Sequence, residues 1–204
     1  MPSDRQKRTN DPEGMRRRVL DKAQEAFQAR GFHATSLGDV MTAAGVSGGA
    51  LHHHFPTKKA LALAVIGERV AEVVRHTWVE PLRNAASARE GVRQIFATVA
   101  TGLERQGFVR GCPLNNLAHE LSLADADLRI SLAGIFEEWR NAIADKMRAD
   151  QQTGRETDTD PERFAATVIA LYSGAMSMAK TAQDSNLLRL CARELDENAS
   201  GVLR

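Results

Sequence analysis

Three places in this 204-residue sequence gather side chains that can do chemistry. The first is His52-His53-His54. Imidazoles ligate metals, but successive helical positions point about 100° apart, so three consecutive rings do not converge on one ion, and no metal site is expected. The second is Gly111-Cys112-Pro113, followed by His119-Glu120. Pro113 at the first position of a helix places Cys112 at or near the N-cap, where the helix dipole favours a thiolate. A thiol, an imidazole and a carboxylate are a conceivable nucleophile and base. Yet His119 stands two helical turns, roughly 10 Å, beyond Cys112, and no motif for an oxyanion site accompanies it. A helical hydrolase is therefore kept only as an alternative. No catalytic residue is assigned, no cofactor is expected, and the chain is read as a non-enzyme.

The third place is the basic N-terminal region. Residues 1–60 hold ten Lys or Arg against six Asp or Glu, and four of the six His, although the net charge of the whole chain is only +1. The remaining residues carry 17 basic against 20 acidic side chains. A basic module on an acidic body suggests that a polyanion meets one end only. Hydrophobic content of 43% and aromatic content of 5% fit a helical bundle packed mainly with Leu, Val and Ala. No apolar run is long enough to span a membrane, the N-terminus is polar, and two cysteines are too few for a disulfide framework. A cytoplasmic, membrane-free protein is expected.

The elements that position the basic region lie in Thr35 to Leu61, TSLGDVMTAAGVSGGALHHHFPTKKAL. Thr35 and Ser36 offer an N-cap, and Leu37, Val40, Met41 and Ala44 recur at helical spacing. Gly45 stands where that helix stops, Ser47 can cap a second helix to about Phe55, and Thr57 can cap a third from Lys58. Two short helices about a Gly-containing turn make a helix-turn-helix, whose second helix is built to enter the DNA major groove. Ala50, Leu51 and Phe55 are expected toward the core of this unit, with Gly48, Gly49, His52 and His53 outward.

The wording Gly45-Val46-Ser47, Gly49-Ala50-Leu51, His53-His54-Phe55, Lys58 and Leu61 closely resembles the signature of the TetR family of bacterial transcriptional regulators. Val19-Leu20, Ala23, Ala26-Phe27, Gly31-Phe32 and Thr35-Ser36 match the first helix and turn of the same domain. The resemblance implies a DNA-facing set of Thr35, Ser36, Ser47, Gly48, Gly49, Ala50, His52, His53 and Lys58, with Lys58 a clamp on the DNA backbone. Two positions depart from the family pattern: it usually has an aromatic where His52 stands, and often a longer polar or basic residue at Gly48. Gly48 and Gly49 would instead allow close backbone approach, with helix N-terminal amides on a phosphate.

Domains are expected as a flexible basic arm over 1–12, a DNA-binding domain over 13–72 with its helix-turn-helix at about 36–55, and an all-helical effector and dimerisation body over 73–204. The fold class is all-α. In the body, Leu61, Val65, Val70, Val73, Val74 and Trp78 run helically until Pro81, and Ser87-Ala88-Arg89-Glu90 reads as a capping box. Asp125 to about Asp150 is a long amphipathic helix, Asp160-Pro161 opens another, and Ser185 starts the last.

The resemblance implies that this body binds a small effector and dimerises through its last two long helices. Within the family, Gly-Cys at the head of the helix after Gly111 is similar to the branch that includes the N-ethylmaleimide-reductase repressor, whose members sense electrophiles through that Cys, with a Lys matching Lys180. Cys112, Phe96, Trp139, Tyr172, Met176 and Lys180 are the expected effector or sensing residues. Leu188, Cys191 and Leu195 are the expected dimer stripe. The function so implied is a homodimeric regulator, a repressor in most of the family. It would bind a palindromic double-stranded operator and be released by a small-molecule or electrophile effector. An effector-blind architectural DNA binder is the alternative.

Overall fold

The computed structural model describes residues 11–156 and 158–197, with 194–197 as backbone only. Nine helices and no strand occur among the described residues. Most of the 1–12 arm lies outside them, as does the side chain of Leu195. Three helices come first, α1 (Pro12–Arg30), α2 (Leu37–Ala44) and α3 (Gly48–His54), of which α2 and α3 make the helix-turn-helix. Their ends follow from local chemistry. The Asp11 carboxylate accepts from Gly14 N at 2.8 Å and Pro12 takes the first position of α1, so one orphan N–H is satisfied and another is absent. Ser36 and Asp39 form a reciprocal capping box at α2, and Gly45 ends α2 in the left-handed conformation with φ 63°.

The long helix α4 spans residues 58–84. Its segments Lys58–Ala64, Ala71–Val74 and Glu80–Asn84 are joined by π-helical stretches Val65–Val70 and Arg75–Val79. Every junction keeps right-handed helical dihedrals. The helix therefore passes through Pro81 rather than ending there. Proline lacks an N–H and its ring crowds the carbonyl one turn back, and the wider π turn immediately before it relieves that crowding. Thr57 caps the start, its hydroxyl accepting from Ala60 N at 3.0 Å.

The body continues with α5 (Ala88–Gln106), α6 (Pro113–Leu121), α7 (Ala126–Gln152), α8 (Pro161–Ala182) and α9 (Asn186–Glu197). At α5 the Ser87 hydroxyl accepts from Glu90 N, while the Glu90 carboxylate turns to Arg93 and Gln94. Half of the expected box is present. Helices α7 and α8 pack together, and α9 lies across α5 and α8. Beneath them Trp78, Phe96, Trp139 and Tyr172 form one aromatic cluster, with edge-to-face pairs at 4.9–6.0 Å between centroids. A buried ring of this kind removes about 150–250 Å² from water.

The division expected near residue 72 falls inside α4, and three contacts fasten the first helices to the body. The Gln28 side-chain amide donates to the Gly111 carbonyl at 3.0 Å. The His33 N–H donates to the Glu120 carboxylate at 3.3 Å. Lys59 Nζ lies 2.7 Å from both Asp125 and Asp127.

Candidate nucleic-acid interface and effector cleft

Helix α3 is held from behind and open in front. Leu51 and Phe55 are buried, and the Arg16 guanidinium lies 5.5 Å from the Phe55 ring centre. Ser47 caps the helix, its hydroxyl accepting from Ala50 N at 3.3 Å. Gly49, His52 and His53 are exposed, while Gly48, Ala50 and His54 are half-buried. A side chain added at Gly49 would meet no atom within 4 Å, and one at Gly48 only Met41 Sδ at 3.7 Å. Neither glycine is required by the packing of the protein itself. The first turn of α3 thus offers bare backbone N–H groups at the positive end of a helix, suited to close contact with an anion.

Two of the expected DNA-facing residues are placed differently. Thr35 is 1% exposed, and its hydroxyl donates to the Gly31 carbonyl at 2.8 Å. It locks the α1–α2 turn, leaving Ser36 to cap α2, so Thr35 has no free surface for DNA. Lys58 is near the surface but engaged: Nζ lies 4.2 Å over the Phe32 ring and donates to the His33 carbonyl at 3.4 Å. A cation over an aromatic face in water is held weakly, and the only carboxylate that feels this ammonium among the described residues is Asp39 of α2, without a direct ion pair.

In the body, three of the six expected effector residues come together and three do not. Cys112, Met176 and Lys180 line an open cleft of about 460 Å³ between α6 and α8, with Asn115, Asn116 and Ser177 among the other walls. Phe96, Trp139 and Tyr172 belong instead to the packed aromatic cluster. Helical periodicity marks an inward face, and here that face meets other rings rather than a void. Burial pushes the Tyr172 hydroxyl well above the ordinary tyrosine range, against a hydrogen bond with Trp78 that acts in the opposite sense.

Cys112 is the N-cap residue of α6, as its place before Pro113 predicts, but it is not activated. Burial pushes the thiol upward, outweighing the backbone N–H groups of Asn115 and Leu114 that favour the anion. Desolvation wins over the helix terminus because Cys112 is only 7% exposed. Nor does Lys180 supply a counter-charge: its Nζ is held by Asn116 Oδ1 at 3.1 Å. The expectation of a resting thiolate is corrected to a neutral, sheltered thiol.

The dimer stripe also changes. Leu188 is fully buried inside its own chain, where α9 lays its apolar side on α5 and α8. Its burial is intramolecular, so it is not an interface residue; Cys191 is half-buried beside it. Among the described residues, the large apolar side chains exposed on α8 and α9 are Met178 and Leu190. Asn115, Asn116 and Ser177 were not singled out in the sequence, although Ser173, Ser177 and Lys180 recur at helical spacing on the cleft side of α8.

Comparison with known proteins bears on both regions. The family described as bacterial regulatory proteins of the tetR family matches residues 19–65, and the C-terminal domain of LmrA/YxaF-like transcriptional regulators matches residues 88–194. The HTH-type transcriptional regulator LmrA of Bacillus subtilis (strain 168) is 27% identical over 175 residues, covering 85% of this chain and 90% of LmrA. A TetR transcriptional regulator from Chloroflexus aurantiacus superposes with a TM-score of 0.82 at 25% identity, over 93% of this chain and 96% of that one. A cysteine mutant of the TetR family regulator CifR, complexed with 26-base-pair double-strand operator DNA, superposes with a TM-score of 0.74 at 22% identity, over 87% and 93% of the two chains. The last likeness is one of fold.

Proposed function

We propose that this chain, which belongs to the TetR family of bacterial transcriptional regulators, represses transcription by holding a palindromic operator as a homodimer and leaves it when a small molecule fills the cleft between α6 and α8. The observation that carries this reading is the outward face of α3, where Gly49, His52 and His53 are exposed and no internal packing demands a glycine. Ser47 and Gly48 bring backbone to the phosphate, His52 and His53 add donors, and Lys58 swings from Phe32 to a neighbouring phosphate. The operator complex of the similarly folded CifR supports DNA as the partner.

Release follows from connectivity. Helix α4 begins at Lys58 beside the recognition helix and carries Trp78 into contact with Tyr172 of α8, one ring away from the cleft. Two recognition helices must reach half-sites about 35 Å apart, so a small tilt of α4 in each protomer removes the fit.

Gel-shift titration on a palindromic site and on its scrambled version, at several salt concentrations, tests the reading. Affinity should fall steeply with salt and be higher for the palindrome. Lys58→Ala should weaken both sites alike, whereas Gly49→Ala should stabilise α3 by up to about 1 kcal/mol and yet weaken the palindrome specifically. Equal binding to both sequences would leave an architectural DNA binder.

A further inference from the structure

The cleft between α6 and α8 has a direction written into its walls. At its floor Asn115 is only 8% exposed and lines the cleft. Its Oδ1 accepts from the Ser173 hydroxyl at 3.3 Å, but its Nδ2 has no hydrogen-bond partner. A buried amide N–H left unmatched costs on the scale of a lost hydrogen bond, and native folds seldom leave one without a role. At the outer end Lys180 supplies a cation resting on the neutral Asn116 Oδ1; His119 and the Glu120 carboxylate line the same cleft, Glu120 accepting from the His33 N–H. Ser177 adds a hydroxyl between the two ends, and Cys112 contributes a neutral thiol. The Asn115 Nδ2 is itself covered from water, so a ligand reaches it through a small turn of the amide or a shift of its neighbours, and the group it then receives must be an acceptor.

We infer that this cleft binds a small molecule whose buried end is an sp2 oxygen, carboxylate or carbonyl, accepting from Asn115 Nδ2, with Lys180 available to a second oxygen or to its negative charge. The inference deepens the effector-released reading above and rests on it only for the consequence, not for the binding. The volume of about 460 Å³ lies in the range of small-molecule sites and has room for a single-ring probe. A carboxylate draws Lys180 away from Asn116. That asparagine donates to the Arg110 carbonyl at 2.9 Å, next to Gly111, whose carbonyl takes the hydrogen bond from Gln28 of α1. The occupant therefore competes at the loop that fastens the DNA-binding domain.

The test uses the full chain without DNA and three probes of similar size: benzoate, benzamide and benzylamine. Binding is followed by calorimetry and by fluorescence of Trp78 and Trp139, the two tryptophans of the chain, which both pack on Tyr172 next to the cleft wall. Benzoate and benzamide should bind and benzylamine should not. Asn115→Leu should weaken both acceptors by about tenfold or more, the cost of losing a buried hydrogen bond. Lys180→Met should weaken benzoate and leave benzamide unchanged. Because Asn115→Leu changes a buried side chain, Asn115→Asp serves as the second variant: it replaces the donor by an acceptor and should reverse the preference toward benzylamine. Binding of benzylamine as tight as that of benzoate, no binding of either acceptor, or unchanged affinity in both Asn115 variants overturns the site. Binding that leaves operator affinity unchanged would instead defeat the release mechanism and keep the site.

Discussion

Gln28 and Gly111 stand 83 residues apart in sequence and are joined by one hydrogen bond of 3.0 Å, from the side-chain amide of α1 to the carbonyl ahead of α6. Gly111 is tightly specified. Its φ is +87°, and an added Cβ would lie 3.0 Å from both Asn116 Oδ1 and Lys180 Cδ. A glycine that must be left-handed, that faces the effector cleft and that carries the domain contact connects the ligand region to the DNA-binding region through a single peptide. Gln28→Ala should lower stability by about 0.5–1.5 kcal/mol, the usual net worth of such a bond. Gly111→Ala should cost more, because strain and crowding add. Urea unfolding checks both: the midpoint falls with unchanged slope, and an unshifted midpoint in Gly111→Ala would show that the backbone there is not constrained to glycine.

Phe96 illustrates the difference between core and pocket. It is completely buried, 6.0 Å from Trp78 and 5.4 Å from Tyr172 between ring centroids. Phe96→Ala should therefore destabilise the protein by about 3–5 kcal/mol, as removal of a buried ring does. Met176→Ala, at the cleft wall, should cost less and alter ligand binding instead. Thermal unfolding with and without benzoate separates the two effects; a Phe96→Ala protein of wild-type stability would place that ring in a void.

The helix-turn-helix was legible in the sequence because its signals are local. Asp11, Ser36, Ser47 and Thr57 each cap the helix that follows, and Gly45 closes α2 in the left-handed conformation. Whatever depends on a distant partner was not. Ser36 and Thr35 are equally good caps by type, and only the packing against Gly31 decides that Thr35 faces inward. The π turn that lets α4 pass Pro81 has no sequence signature. Periodicity identified Trp139 and Tyr172 as inward-facing without showing that Trp78 fills the space opposite. Cys112 was correctly set at an N-cap, but the dipole argument did not include the burial that outweighs it.

That burial sets a pH dependence. Cys112 has its folded-state pKa raised above the ordinary thiol range, with desolvation as the largest cause. An acid with a raised folded pKa keeps its proton longer in the native state than in the unfolded chain. Its contribution is therefore complete below the unfolded thiol pKa, about 8.5, and is lost as pH rises above it. Stability should decline on the alkaline side of about pH 8.5, and Cys112→Ala should flatten that first decline. Tyr172, shifted in the same direction, governs the decline at still higher pH. Alkylation followed by mass spectrometry in a Cys191→Ser background gives a second check. At neutral pH the folded protein should react far more slowly at Cys112 than the urea-unfolded chain, and equal rates would restore the resting thiolate.

On α8 the positions Ala166, Ala170, Gly174 and Met178 recur every four residues and are all exposed within the single chain, and Leu190 of α9 is exposed as well. A Cβ at Gly174 would meet no atom within 4 Å, so the chain's own packing does not ask for glycine there. Replacing a helical glycine by a longer residue ordinarily stabilises the helix by up to about 1 kcal/mol. If two α8 ridges face each other across a two-fold axis, the same change places two large side chains where the helices meet. Gly174→Arg should then leave the unfolding transition of the monomer unchanged or improved, while sedimentation shows loss of the dimer and gel shifts show loss of the palindromic complex. Leu190→Glu is the independent control on α9 and should act in the same direction. A Gly174→Arg protein that sediments as a dimer would move the interface off α8, to surfaces that neither variant touches.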